Sequence, residues 1–137
     1  RIIGDDLYFN GNDVPAGWSW TDIGNYYGAG ISGLNWRENK MGIDFTAGAV
    51  GQAASMKTPA LPKNLRLVNE VTTGSNGSGD NVYAYSAPYS ELIYLRGSYG
   101  KDLKKTIEIA MPDPALSLAE DLHAAMVQQD ILLDSLS

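Results

Sequence analysis

One segment dictates most of what this chain can become. Asp113-Pro114 opens a stretch in which Ala115, Leu118, Ala119, Leu122, Ala125 and Met126 recur at helical spacing. Aspartate is a good N-cap, and proline suits the first helical position because it has no N–H to leave unpaired. A helix is expected from about Pro114 to Gln129, roughly 24 Å long at 1.5 Å per residue. No other segment carries a helical period of that length. The rest of the chain divides into short apolar runs separated by turn residues, which is the pattern of strands.

Residues 1–9 read as a short strand that ends in a turn at Gly4-Asp5-Asp6. Residues 10–20 are loop, rich in Gly, Asn, Asp and Pro. Residues 21–33 read as a helical turn followed by loop, and residues 35–50 as two strands around a hairpin turn at Glu38-Asn39-Lys40-Met41-Gly42. Residues 52–63 hold two prolines and no period, so they read as an irregular connection. Leu65, Leu67, Val68 and Val71 mark a strand, and residues 72–81 are turn chemistry throughout. Val82 and Ala84 alternate with Tyr83 and Tyr85, and residues 92–99 and 105–111 complete three consecutive strands with short links. Those links predict an antiparallel meander in the second half. The expected class is α+β: an antiparallel sheet with one long C-terminal helix packed on it, after a loop-rich aromatic first half. The 137 residues suffice for one region with a real core, with a sub-boundary near 72–81.

Charge narrows the partners. Ten basic and sixteen acidic residues give a net charge of −6, with no run of Lys or Arg, so nucleic acid is not an expected partner. No apolar stretch reaches the length of a membrane span. Without cysteine there is no disulfide, thiolate zinc site or cysteine nucleophile. The chain opens at Arg1 without a start Met or leader, as a mature product or an excised segment would.

Several short motifs imitate chemistry. Gly28-Ala29-Gly30-Ile31-Ser32-Gly33 spells G-x-G-x-x-G, but Asn25-Tyr26-Tyr27 before it is no apolar strand, and Asn35-Trp36-Arg37 after it opens no helix. A loop is the better reading, and no cofactor is expected. Ser98-Tyr99-Gly100-Lys101 spells the Ser-x-x-Lys nucleophile motif. That chemistry needs both residues on one helical turn, whereas Gly100 and the flanking strands place this copy at a hairpin end. Lys57-Thr58-Pro59 and Lys105-Thr106-Ile107 lack the glycine of Lys-Thr-Gly. His123 is the one histidine, on the helix, and reads as an exposed or half-buried residue; no metal site is expected. Asp5, Asp6, Asp13, Asp80 and Asp113 read as strand ends, turn braces and a helix cap. Asn76-Gly77-Ser78 is a glycosylation sequon in letters only. Trp18, Trp20, Tyr26, Tyr27 and Trp36 form a dense aromatic group. They are the candidate ligand contacts, able to stack on sugar rings. Core filling is the favoured reading, because each ring buries roughly 150–250 Å².

An ordered set of stretches resembles one family. The first block is Ile3-Gly4-Asp5-Asp6 with Phe9, Pro15-Ala16-Gly17-Trp18-Ser19-Trp20, Asp22 to Ala29, and Ser32-Gly33-Leu34-Asn35. The second is Gly77 to Tyr85, Ala87-Pro88-Tyr89, Arg96-Gly97 and Met111-Pro112-Asp113-Pro114-Ala115. Together they resemble the D-alanyl-D-alanine carboxypeptidase/endopeptidases of the DacB type, class C low-molecular-mass penicillin-binding proteins. The resemblance implies a periplasmic serine peptidase acting on peptidoglycan peptides through an acyl-enzyme. It also implies that this sequence is the accessory insertion between Ser-x-x-Lys and the later Ser-x-Asn and Lys-Thr-Gly motifs, with all three outside its ends. No catalytic residue is therefore carried over, and the chain alone should be inactive, with the rest of the parent chain as partner. The rival readings are a free-standing peptidoglycan- or glycan-binding module using the Trp/Tyr group, and a packing or dimerisation element.

Overall fold

The computed structural model describes residues 2–9, 13–57 and 61–131. The class is α+β, and the described residues hold six strands in two three-stranded sheets and one long helix toward the C-terminal end. The first sheet has the order β2 (Ser55–Lys57), β1 (Lys40–Thr46), β6 (Ile107–Ala110), and both pairings are antiparallel. The second has the order β3 (Arg66–Gly74), β5 (Leu92–Gly100), β4 (Asp80–Tyr85). Here β4 pairs antiparallel with β5, but β3 pairs with β5 in parallel over nine residues.

Period-two alternation puts one face of each sheet inward. Ile43 and Phe45 of β1 and Ile107 and Ile109 of β6 meet Val71, Val82, Ala84, Ile93, Leu95 and Tyr99 of the other sheet in one buried cluster. Tyr99 is almost fully enclosed, yet its hydroxyl is satisfied: it donates to the Lys105 carbonyl and accepts from the Lys105 N–H, each at 3.0 Å. The phenol thus fills the core with its ring and closes the β5–β6 connection with its oxygen.

The expected meander is only partly present. The β4–β5 hairpin is antiparallel as read, but β6 leaves for the other sheet and β3 enters on the far side of β5. The connection 75–79 therefore passes across the end of β5. The turn chemistry of 72–81 is confined to those five residues, because β3 runs on to Gly74 and β4 begins at Asp80. The crossing leaves no room at the end of β5. A side chain at Gly100 would press on the Gly79 backbone at 2.9 Å.

Three other expectations change. Residues 2–6 form no ladder; the segment is pinned instead by Tyr89, whose hydroxyl donates to Asp6 Oδ2 at 2.8 Å. The hairpin expected around Glu38-Asn39-Lys40-Met41-Gly42 is absent, and one continuous strand starts at Lys40. Before it, Arg37, Glu38 and Asn39 make a left-handed turn with φ of 50, 55 and 55°. Such residues cost roughly 1–2 kcal/mol each in that conformation. Asn39 holds the turn: its buried amide donates to Gly30 O and Asn35 Oδ1 and accepts from the Trp36 N–H. The irregular connection of 52–63 contains β2, and its residues 58–60 lie outside the described residues.

The helix α2 spans Pro114–Gln128, capped by Asp113, whose carboxylate accepts from the Leu116 N–H at 2.8 Å. Its first turns are buried through Pro114, Ala115, Ser117 and Ala119, while the second half, including Leu122, His123 and Val127, is exposed. A shorter helix, α1 (Trp20–Ile23), is capped by Ser19.

Gly97 sets a sharp test of this topology. It sits in the middle of β5 at φ 109°, and a Cβ there would collide with the Asn81 carbonyl oxygen of β4. Gly97→Ala is expected to lose about 3 kcal/mol in urea unfolding, whereas Gly77→Ala, in open space on the turn, loses about 1 kcal/mol from its positive φ alone.

Candidate functional site

Aromatic residues expected in a core are on the surface. Trp18 is 43% exposed and Trp20 57%, and Tyr26 and Tyr27 are about half exposed. Trp36 leaves the group altogether: its Nε1–H donates to Asp121 Oδ2 on α2 at 2.7 Å, and Arg37 reaches the same carboxylate at 3.1 Å. The five candidate contacts therefore do not converge, and core filling is not their role.

What converges instead is a tyrosine-lined cleft. Its walls are Asn25, Tyr26, Tyr27, Asp80, Val82, Tyr83, Lys105, Ile107 and Glu108, around ≈ 340 Å³ of open volume. Tyr26 and Tyr27 come from the short turn after α1, and their rings meet edge to face with centroids 5.2 Å apart. Tyr83 projects from the outer face of β4, since Val82 and Ala84 point into the core. Tyr83 lies outside the aromatic group that nearness in sequence picks out. The period-two signal that made Val82 and Ala84 core also made Tyr83 and Tyr85 a second aromatic row.

Asn25 places this wall. It is 4% exposed, and both ends of its amide are used. Nδ2 donates to Thr21 O at 2.7 Å, and Oδ1 accepts from the Ala84 N–H at 2.9 Å. Its backbone bridges to Ile109 of β6. One residue thus ties α1 to β4 of one sheet and β6 of the other, and its neighbours Tyr26 and Tyr27 are fixed over the gap between them.

Charges around the cleft are paired. Lys105 Nζ lies 3.2 Å from Asp80, and Lys40 Nζ lies 2.7 Å from Glu38 and 3.7 Å from Glu108. Lys40 also stands over the Tyr26 ring at 6.0 Å. Glu38, held by the Lys40 ammonium, stays ionised below the usual carboxylate range, and Lys40 is raised in turn. Burial, with the Asp22 carboxylate and the neighbouring phenols next in weight, pushes the Tyr27 hydroxyl above its usual pKa. It is a neutral donor at physiological pH. The row continues along the sheet: Tyr85 stands opposite Tyr94, and Tyr83 opposite Arg96, whose guanidinium lies 5.8 Å from the Tyr85 ring and 5.2 Å from the Tyr94 ring.

The short motifs lie on turns, a strand end and the helix. Gly28 lies in a short turn, and no helix follows the G-x-G-x-x-G run. Ser98 is on β5, and Lys101 is in the turn beyond it. His123 is exposed on α2. Among the described residues no group of three His, Cys, Asp or Glu side chains could hold a metal ion, and no helix is long and apolar enough to cross a membrane. A second cavity beside Ser86 and Tyr89 has ≈ 20 Å³, room for about one water.

A family model for D-Ala-D-Ala carboxypeptidase 3 (S13) matches residues 1–135. The chain belongs to the S13 family. Its fold is similar to penicillin binding protein 4 (dacB) from Haemophilus influenzae, with a TM-score of 0.56 and 14% identity over 90% of this chain. The S13 chain spans 26% of the length of that protein. It is also 34% identical over 110 residues to a highly reducing polyketide synthase, easB, of Emericella nidulans, but spans 4% of that protein's length.

Asn25→Ala leaves the buried Ala84 N–H and the part-buried Thr21 carbonyl without their partner, and is expected to lose about 2 kcal/mol. Tyr27 gives an independent readout. Because its folded pKa is raised, the stability it lends is full below the ordinary phenol pKa and is lost as pH rises through the folded value. NMR of isotope-labelled tyrosine rings should show Tyr27 ionising at higher pH than free tyrosine, and returning towards it in Asn25→Ala.

Proposed function

We propose that this S13 chain is an accessory, non-catalytic region of a periplasmic serine-type D-Ala-D-Ala carboxypeptidase/endopeptidase that acts on peptidoglycan peptides. The observation that carries the reading is the position of Ser98 and Lys101 within a chain of this family. Acyl transfer by a Ser-x-x-Lys pair needs the amine beside the hydroxyl, as on one turn of helix. In this chain the pair spans the end of a strand and a turn. A strand end followed by a turn does not stack residue i+3 over residue i as a helical turn does, so the local backbone does not bring the amine to the serine. Lys57 is on the short strand β2, and the stretch after Lys105 leads into β6 with no Lys-Thr-Gly.

The distribution of apolar surface supports the same reading. Ile3, Leu7, Tyr8 and Phe9 at one end of the chain, and Leu122, Val127 and Ile131 at the other, are all exposed. Apolar groups concentrated in this way mark surfaces that another body covers. The rest of a longer parent chain is the partner that fits, with the nucleophile motifs supplied from there. The two-sheet body would then shape access to the parent's cleft or hold its polymer substrate.

The test is acylation. The purified 137-residue chain should take up no label from a fluorescent penicillin and should release no D-alanine from a D-Ala-D-Ala peptide. Turnover by the chain, abolished in Ser98→Ala, would overturn the reading.

A further inference from the structure

We propose that the tyrosine-lined cleft between α1, β4 and β6 is a binding site for a neutral oligosaccharide of pyranose rings. Three observations carry it. First, Tyr26, Tyr27 and Tyr83 present rings to solvent, at 49%, 51% and 44% exposure, around one ≈ 340 Å³ hollow. A pyranose has an apolar face of axial C–H groups and an equatorial rim of hydroxyls, and an aromatic ring with an electron-rich face is its natural platform. Second, the rim is polar and its charges lie in ion pairs, with one more carboxylate than ammonium. The carboxylates of Asp80 and Glu108 each stand against an ammonium, Lys105 and Lys40. Such pairs offer acceptors and donors to hydroxyls but give no reason to select an anion or a cation. Third, the platform is prearranged. Asn25 holds the Tyr26-Tyr27 turn by two short hydrogen bonds, and Tyr83 stands on a central stretch of β4. Little ordering entropy remains to oppose binding.

The platform also has a direction. From Tyr83 the outer sheet face carries Tyr85 two residues on, about 7 Å along the strand, with Tyr94 paired opposite it. Successive rings of one oligosaccharide can lie on Tyr27, Tyr83 and Tyr85 in turn. A peptide would make poorer use of this surface. The acidic groups that would take its amine are already in ion pairs. The site uses none of the residues in the peptidase reading and stands independently of it.

The experiment titrates the ring-labelled 137-residue chain with tetra-N-acetylchitotetraose to about 10 mM, a range that captures millimolar affinity. Expected are shifts at Tyr26, Tyr27 and Tyr83, with Tyr99, enclosed in the core, unmoved. Tyr83→Ala removes a solvent-exposed ring and leaves the core intact, and is expected to weaken binding about tenfold, which is 1.4 kcal/mol. Tyr83→Phe should keep most of the affinity, because stacking uses the ring. Absence of shifts in a folded chain, shifts confined to Trp18 and Trp20, or equal or tighter binding of a short peptide at the same tyrosines would each overturn the proposal.

Discussion

The amide of Asn25 is the point on which the arrangement of this protein turns. Two sheets that share one core still need to be fixed at their open edges, where β4 and β6 run past each other. Asn25 does this with one short side chain that donates to Thr21 and accepts from Ala84, while its own backbone bridges to Ile109. The Ala84 N–H is buried and would otherwise be orphaned, and the Thr21 carbonyl is part-buried. Aspartate in its place would set a second acceptor against the Thr21 carbonyl. The aromatic turn that follows is therefore held as rigidly as the strands beside it.

A second constraint lies at the other end of the mixed sheet. Placing β5 between β3 and β4 makes the connection 75–79 cross the end of a strand. Backbone then lies directly on backbone, and Gly100 is where a side chain has no space. The parallel β3–β5 pairing gives nine residues of ladder in exchange for that crossing. The left-handed turn at Arg37–Asn39 plays a comparable part in the first half, redirecting the chain from loop into β1. Its strain is tolerated because Asn39 is held from three sides. These features divide the molecule into a rigid two-sheet body, which carries the tyrosine cleft, and two ends rich in exposed apolar groups.

Much of this was legible in the amino-acid order. The cap of α2, the alternation in β4, the strand at β5, the poor flanks of the G-x-G-x-x-G run and the strand context of Ser98 are all local, and each is found as read. The candidate site was legible only in half. Tyr26 and Tyr27 were singled out with Trp18, Trp20 and Trp36 because they are near in sequence, but nearness in sequence does not gather side chains. Trp36 is taken by Asp121, 85 residues away, and the third wall of the cleft comes from Tyr83, on a strand brought alongside by pairing.

The sequence by itself determined the α+β class, the capped helix, most strand positions and the resemblance to the S13 family. Each depends on interactions within a few residues or on a pattern of letters. Only the tertiary structure decided that β3 joins β5 in parallel, that β6 crosses to the other sheet, and that the aromatic rings line a surface rather than a core. Strand alternation says which face is buried but not against what. That choice is made by burial and hydrogen bonding between segments distant in the chain, whose energies have no local signature.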